Sequence, residues 1–359
     1  MKVLCITGLP LSAPTVEDRL IPLISNLKEY QFDVLVSKPT GIWKRKIYTQ
    51  DIPEHVHIIE YNPKLRYLFS VIRNNLNTDY DMIYVSKLSR LSSLPGYILS
   101  KIKKKPLIVD CDDCDWDLGS LTNKIVGNFV IKHNDALITA SRELHRLYGG
   151  TYIPNSTDLN KFDPKKYNGK KIRKKYGIGS DKRVFLWAGI LHPVVDINLF
   201  TAIGNILRDS YFLIIGDGPR FEELKNTIKS KNVILTGMVP KDEMPEYYAA
   251  ADAGVISFPD TRYHRCKCPI KLFEFMAMEL PVFTTPVGES KFLVQKSKCG
   301  LICETPVQFV NNLENISKSK LSILGRNGRK YLEEKHNWEI LSKKLRMVIL
   351  VAKNTARSD

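Results

Sequence analysis

Short runs of β-branched and aromatic residues, each closed by turn residues, alternate along the chain with longer amphipathic stretches. Parallel strands need helical crossovers between them, so this alternation specifies an α/β fold built on parallel sheets. The first half offers strands at Val3–Thr7, Asp33–Ser37, Val56–Glu60, Met82–Ser86, Leu107–Asp110, Ala136–Ala140 and Tyr152–Ile153. The second half offers Arg183–Ala188, Tyr211–Gly216, Val233–Thr236, Ala253–Ser257, Pro281–Thr285 and Leu301–Cys303. Between them, Asn160–Asp181 mixes Pro164, Gly169, Gly177 and Gly179 with lysines and loses apolar periodicity, the signature of a linker. The expected architecture is therefore two Rossmann-like, doubly wound domains, residues 1–160 and 182–335, joined by a basic linker at 161–181 and closed by a helix at 336–359. Open α/β sheets bind ligands outside the carboxyl ends of their strands, so two such domains would face each other across an interdomain cleft.

A chain of 359 residues with 43% hydrophobic residues can build two cores. It has no apolar run of about 18 residues, and its first strand meets Gly8 and Pro10 too early for a signal-peptide core, so a cytoplasmic protein is expected. Seven cysteines suggest free thiols; Cys111/Cys114 with Cys266/Cys268 make a poor zinc pattern, and no metal is expected. The net charge of +16 is uneven: residues 1–160 hold 20 basic against 17 acidic residues, residues 161–359 hold 34 against 21. Its densest block, Lys161–Arg183, reads either as a solvated linker or as an attractor of anions. No nucleic-acid-binding motif accompanies the charge.

The second half carries the informative motifs. Strand Tyr211–Ile215 runs into Gly216-Asp217-Gly218-Pro219, a glycine turn that either serves tight packing or brings N–H groups to an anion. Then follow "TGMVP" with Val239, "YYAAAD", "CPIKLFEFMAMELPV" from Cys268 to Val282, and "PVGE". In this order and spacing they resemble the C-terminal domain of the group 1 family of retaining GT-B glycosyltransferases. "YIPNSTDLNKFDP", Tyr152 to Pro164, is similar to the family's interdomain crossing, and Asn337-Trp338 to its closing segment. The resemblance covers about 220 residues, mostly after position 150.

The resemblance implies a nucleotide-diphosphate sugar as substrate, no cofactor, and a donor site at Glu274, Lys271, Pro269, Ile270, Val239 and Gly216–Gly218. Glu274 would accept hydrogen bonds from the ribose hydroxyls, while Lys271, one turn earlier on the same helix face, would set a cation beside the diphosphate. Gly8, after the first strand, would allow close approach to the phosphates. Attack would come from the face the leaving group departs, with no metal and no protein nucleophile. Three departures stand out. The family's Arg and Lys after the first strand of this domain are absent from Gly189–Asp196, and Cys266 occupies the place of its first glutamate. Arg262, Arg265 and Lys267 are candidate substitutes.

On the acceptor side, Asp112 and Asp113 follow a strand end and either orient the acceptor hydroxyl or cap a helix. Lys64–Leu76 places Leu65, Leu68, Phe69, Ile72 and Leu76 on one helical face, with a second basic cluster at Lys101–Lys105; such a helix rests on the sheet or on an anionic membrane. The acceptor class is then a saccharide or lipid-linked saccharide. A sugar-nucleotide epimerase and a non-catalytic sugar-nucleotide-binding subunit are the alternatives.

Overall fold

The computed structural model describes residues 1–39, 51–62 and 67–355. The chain divides into two units. The first comprises Met1–Asn155, Cys266–Cys268 and the segment from Trp338 onward; the second comprises Ser156–Arg265 and Pro269–Asn337.

The first unit holds a seven-stranded sheet of β1 (Lys2–Ile6), β2 (Gln31–Ser37), β3 (Val56–Tyr61), β4 (Met82–Ser86), β5 (Leu107–Cys111), β6 (Ala136–Thr139) and β7 (Thr151–Tyr152), all parallel, in the order β3-β2-β1-β4-β5-β6-β7. Strands β4 and β5 are buried along their whole length, as parallel strands covered on both faces must be. The chain adds strands on one side of β1 and then on the other, so the sheet's switch point lies between β1 and β4. Helix Trp338–Thr355 contributes Leu341, Leu345, Val348, Ile349 and Ala352 to this unit's core.

The second unit repeats the plan with six strands: β8 (Arg183–Ala188), β9 (Ser210–Ile215), β10 (Val233–Leu235), β11 (Ala253–Ile256), β12 (Val282–Thr284) and β13 (Gly300–Ile302), ordered β10-β9-β8-β11-β12-β13. Its switch point lies between β8 and β11. Phe185, Trp187, Phe200 and Phe212 centre its core.

Every strand expected from the sequence forms, within a residue or two at the ends. Two expectations change. Residues 161–181 are not a bare linker: they carry a 3-10 turn, Pro164–Lys166, and a helix, Lys170–Lys175. That helix buries Ile172, and Arg173 binds the Ala250 carbonyl at 2.9 Å and Asp252 at 2.9 Å, so one lysine-rich stretch is docked on the second unit. The helix expected over Lys64–Leu76 spans Tyr67–Asn75, with Lys64, Leu65 and Arg66 outside the described residues. Its buried stripe is Tyr67–Val71–Asn75 at one-turn spacing, whereas Phe69 is 72% exposed. All seven cysteines are buried free thiols. No helix among the described residues is long and apolar enough to cross a membrane.

Candidate functional site

In the second unit, helix Ile270–Ala277 starts at Pro269, whose fixed φ suits a helix entrance. Leu272, Phe273, Phe275 and Met276 are buried, which leaves Lys271 and Glu274 half-buried, three residues apart on the helix. Glu274 Oε2 accepts a hydrogen bond of 2.6 Å from the hydroxyl of Tyr248. Tyr248 is itself held, 2% exposed, between Phe162 (ring centroids 5.9 Å apart, stacked) and Phe275 (5.1 Å, edge-on). The carboxylate is thus oriented from behind by a phenol locked in the core. A carboxylate has about four lone-pair positions, so this anchor leaves capacity for further donors.

The Lys271 ammonium lies 4.0 Å from the ring centroid of Trp187, the penultimate residue of β8. The glycine turn after β9 packs against the residues after β8. A Cβ on Gly216 would lie 1.8 Å from the Gly189 carbonyl oxygen, and one on Gly218 2.7 Å from the Leu191 carbonyl oxygen. These glycines therefore exist for close backbone approach. Their N–H groups are also engaged, Gly216 with the Gly237 carbonyl at 2.9 Å and Gly218 with Asp217 Oδ1 at 2.6 Å. The helix that follows, Phe221–Thr227, has seven residues. Val239 and Ile270 are half-buried, and Arg265 is exposed and tied to Asp260 at 2.8 Å.

In the first unit, Gly8 has φ 64° and packs against Leu91. Asp112 and Asp113 follow β5. Lys87, at the end of β4, has φ 69°, a conformation a lysine holds only when its surroundings impose it. Its ammonium reaches Asp115 at 2.6 Å, Asp113 at 3.1 Å and Asp112 at 4.0 Å. Asp113 also accepts the Asp115 N–H at 3.0 Å, so it does close a helix-start turn. Burial and the Asp112 charge push Asp113 up to about 7, against the pull of Lys87. For Asp115 burial also acts upward, but Lys87 and then Lys267 outweigh it and hold the carboxyl well below its usual range. Asp112 Oδ2 accepts a 2.6 Å hydrogen bond from Thr15, while Asp112 Oδ1 is buried with no hydrogen-bond partner among the described residues. Of the two aspartates, it is the one with an acceptor oxygen unmatched.

Beneath this loop lies an arrangement the sequence did not announce. Arg19, 1% exposed, binds Asp110, 0% exposed, through two hydrogen bonds of 2.6 and 2.9 Å. Its remaining donors go to Asn155 Oδ1 at 2.9 Å and the Ile153 carbonyl at 3.0 Å, and Tyr84 donates to Asp110 at 2.7 Å. Every charge is matched, the condition under which a buried ion pair is tolerated. Local spacing left Tyr248, Trp187 and Arg19 unseen as the partners of Glu274, Lys271 and Asp110.

Of the four cysteines weighed as a metal pattern, Cys114 and Cys266 meet: a hydrogen bond to Cys266, and then burial, raise the Cys114 thiol far above its ordinary range.

Residues 182–319 match the family described as "Glycosyl transferases group 1". A Bacillus subtilis chain named as a teichuronic acid biosynthesis glycosyltransferase, TuaC, is 29% identical over 157 residues, 43% of this chain and 38% of its own. The chain thus spans well under two thirds of TuaC. The Escherichia coli UDP-Gal:alpha-D-GlcNAc-diphosphoundecaprenol alpha-1,3-galactosyltransferase is 26% identical over 359 residues, 87% of this chain and 90% of that one. Among solved structures, Anabaena HepE in complex with UDP-glucose matches with a TM-score of 0.77 at 17% identity, over 97% of this chain and 99% of that one. Residues 182–319 thus resemble the group 1 glycosyl transferases, and the chain's two Rossmann-like sheets have the GT-B fold that it shares with such solved structures.

Proposed function

We propose that the chain is a retaining glycosyltransferase that moves a sugar from a UDP- or GDP-sugar to a saccharide or lipid-linked saccharide, without a metal ion. The observation that carries this reading is Glu274 held by Tyr248, with Lys271 one turn before it on the same helix. Glu274 binds the ribose hydroxyls of the donor. Lys271 sits beside the diphosphate, whose charge grows as the bond from the sugar carbon to phosphate oxygen breaks, and stabilises it where it develops. The acceptor oxygen forms the new bond on the face being vacated, and its proton passes to the departing phosphate oxygen. On the acceptor side, Asp112 rather than Asp113 orients the hydroxyl. Its Oδ1 is the unmatched acceptor, whereas Asp113 is occupied by Lys87 and the Asp115 N–H. The reading is supported by HepE, crystallised with UDP-glucose, and by the E. coli relative, whose name gives UDP-Gal as donor. Release of nucleoside diphosphate that depends on the acceptor is its test, since an epimerase or a binding subunit would not show it.

A lipid-linked acceptor is favoured by the outer helices of the first unit. Helices Tyr67–Asn75, Ser93–Lys103 and Leu121–Val130 lie side by side and contain no aspartate or glutamate. Phe69, Ile102, Leu121, Ile125 and Phe129 are exposed on them, Leu121 at 72% and Ile125 at 59%, interspersed with Arg73, Lys101 and Lys124. Apolar side chains among cations fit an anionic bilayer surface, where each Lys or Arg contributes about 1 kcal/mol. The docking face is thus centred on Leu121–Val130 rather than on the 64–76 stretch alone. The protein is expected to float with phosphatidylglycerol vesicles at low salt and not with phosphatidylcholine vesicles, and the double variant Leu121→Glu/Ile125→Glu to stay at the bottom of the gradient. Equal flotation of the variant, or a salt-stable dimer that the variant abolishes, would assign the face elsewhere.

A further inference from the structure

The segment after β8, Gly189–Asp196, contains no arginine or lysine. The fold brings a cation to that strand end from another part of the chain. Lys271 is 82 residues further on in sequence than Gly189, yet a Cβ on Gly189 would lie 3.0 Å from the Lys271 ammonium and 3.2 Å from the Trp187 ring. Glycine at 189 is what keeps this space open. Trp187 is 2% exposed and packs on Phe200 with ring centroids 5.0 Å apart, so its face presents a fixed platform. An ammonium over an indole face is attracted by the negative face of the ring quadrupole. Pinning a lysine side chain costs rotamer entropy, and the ring offsets part of that cost before any ligand arrives. The location is the carboxyl end of β8, beside the β8–β11 switch point where open α/β sheets bind their ligands.

We infer that Trp187 is a positioning residue that holds Lys271 over Gly189 as the diphosphate cation of the donor site. The assignment rests on the donor reading above. It separates the two halves of the nucleotide: Glu274 serves the ribose, and the Trp187–Lys271 pair serves the phosphates.

The test is calorimetric titration of uridine, UDP, guanosine and GDP into the full chain and its variants. For whichever base binds, Lys271→Met is expected to weaken the nucleoside diphosphate at least tenfold and leave the nucleoside unchanged. Trp187→Leu, with the lysine still present, is expected to produce the same selective loss, and Trp187→Phe, which keeps a ring face, to recover most of it. Diphosphate affinity of Lys271→Met equal to that of the parent would overturn the assignment while leaving the donor reading standing. Parallel loss of nucleoside and nucleoside diphosphate in Trp187→Leu would also overturn it, by showing general damage to the core. A parent chain that binds none of the four ligands would overturn the donor reading and this assignment together. Lys271 is half-buried on a helix surface, so its variant remains informative even if the buried tryptophan tolerates no change.

Discussion

Arg19→Met is expected to destabilise the first unit by about 3–5 kcal/mol, the range for removing one member of a buried ion pair. The reason is the company Arg19 keeps. Asp110 is 0% exposed and takes two of its hydrogen bonds from this guanidinium, so the variant strands a carboxylate in the core with only Tyr84 as donor among the contacts described above. The Ile153 carbonyl and Asn155 side chain lose a donor at the same time. At about 2–4 °C per kcal/mol for a unit of this size, the midpoint of thermal unfolding should fall by roughly 10 °C. Adding Asp110→Leu to Arg19→Met should recover part of the loss, because the penalty lies in the unpaired charge and not in the missing arginine. A midpoint unchanged in Arg19→Met would show that the pair contributes nothing to the unit.

Glu274→Ala is expected to raise the dissociation constant for the nucleotide-sugar donor at least tenfold, about 1.4 kcal/mol. The structure adds a second consequence. Tyr248 is 2% exposed and its hydroxyl donates to Glu274, so the alanine leaves that hydroxyl without this acceptor, at a cost of about 1–3 kcal/mol in stability. Tyr248→Phe separates the two effects. It keeps the carboxylate, removes only its anchor, and should weaken the donor by a factor of a few. The double variant Glu274→Ala/Tyr248→Phe should regain stability without regaining affinity. Donor affinity unaltered in Glu274→Ala, measured by calorimetry, would remove the ribose assignment.

The strands were legible because burial on both faces of a parallel sheet enforces continuous apolar runs such as Met82–Ser86 and Leu107–Cys111. Helix faces were less so. Phe69 and Leu76 fall at helical spacing with Leu65, Leu68 and Ile72, but periodicity identifies an apolar stripe without saying what covers it, and both are exposed. Glu274 and Lys271 could be singled out because they share one helix in an ordered motif. Their supports could not. Tyr248 lies 26 positions from Glu274 and Asp110 lies 91 from Arg19, and local spacing carries no trace of such pairings. The glycine turn left two readings open in sequence, tight packing or N–H groups offered to an anion. Gly216 and Gly218 pack on Gly189 and Leu191, and their N–H groups meet the Gly237 carbonyl and Asp217. Asp112 and Asp113 looked equivalent in sequence; Lys87 and Thr15, converging on them from two other elements, make them different.

The central claim is transfer, and the most direct measurement is the release of nucleoside diphosphate from UDP- and GDP-sugars with and without a polyprenyl-diphosphate-linked saccharide. The account predicts release from one donor class only when the acceptor is present, with the anomeric configuration of the sugar retained in the product. Release or epimerisation without the acceptor, or donor binding with no turnover under any acceptor, would contradict it.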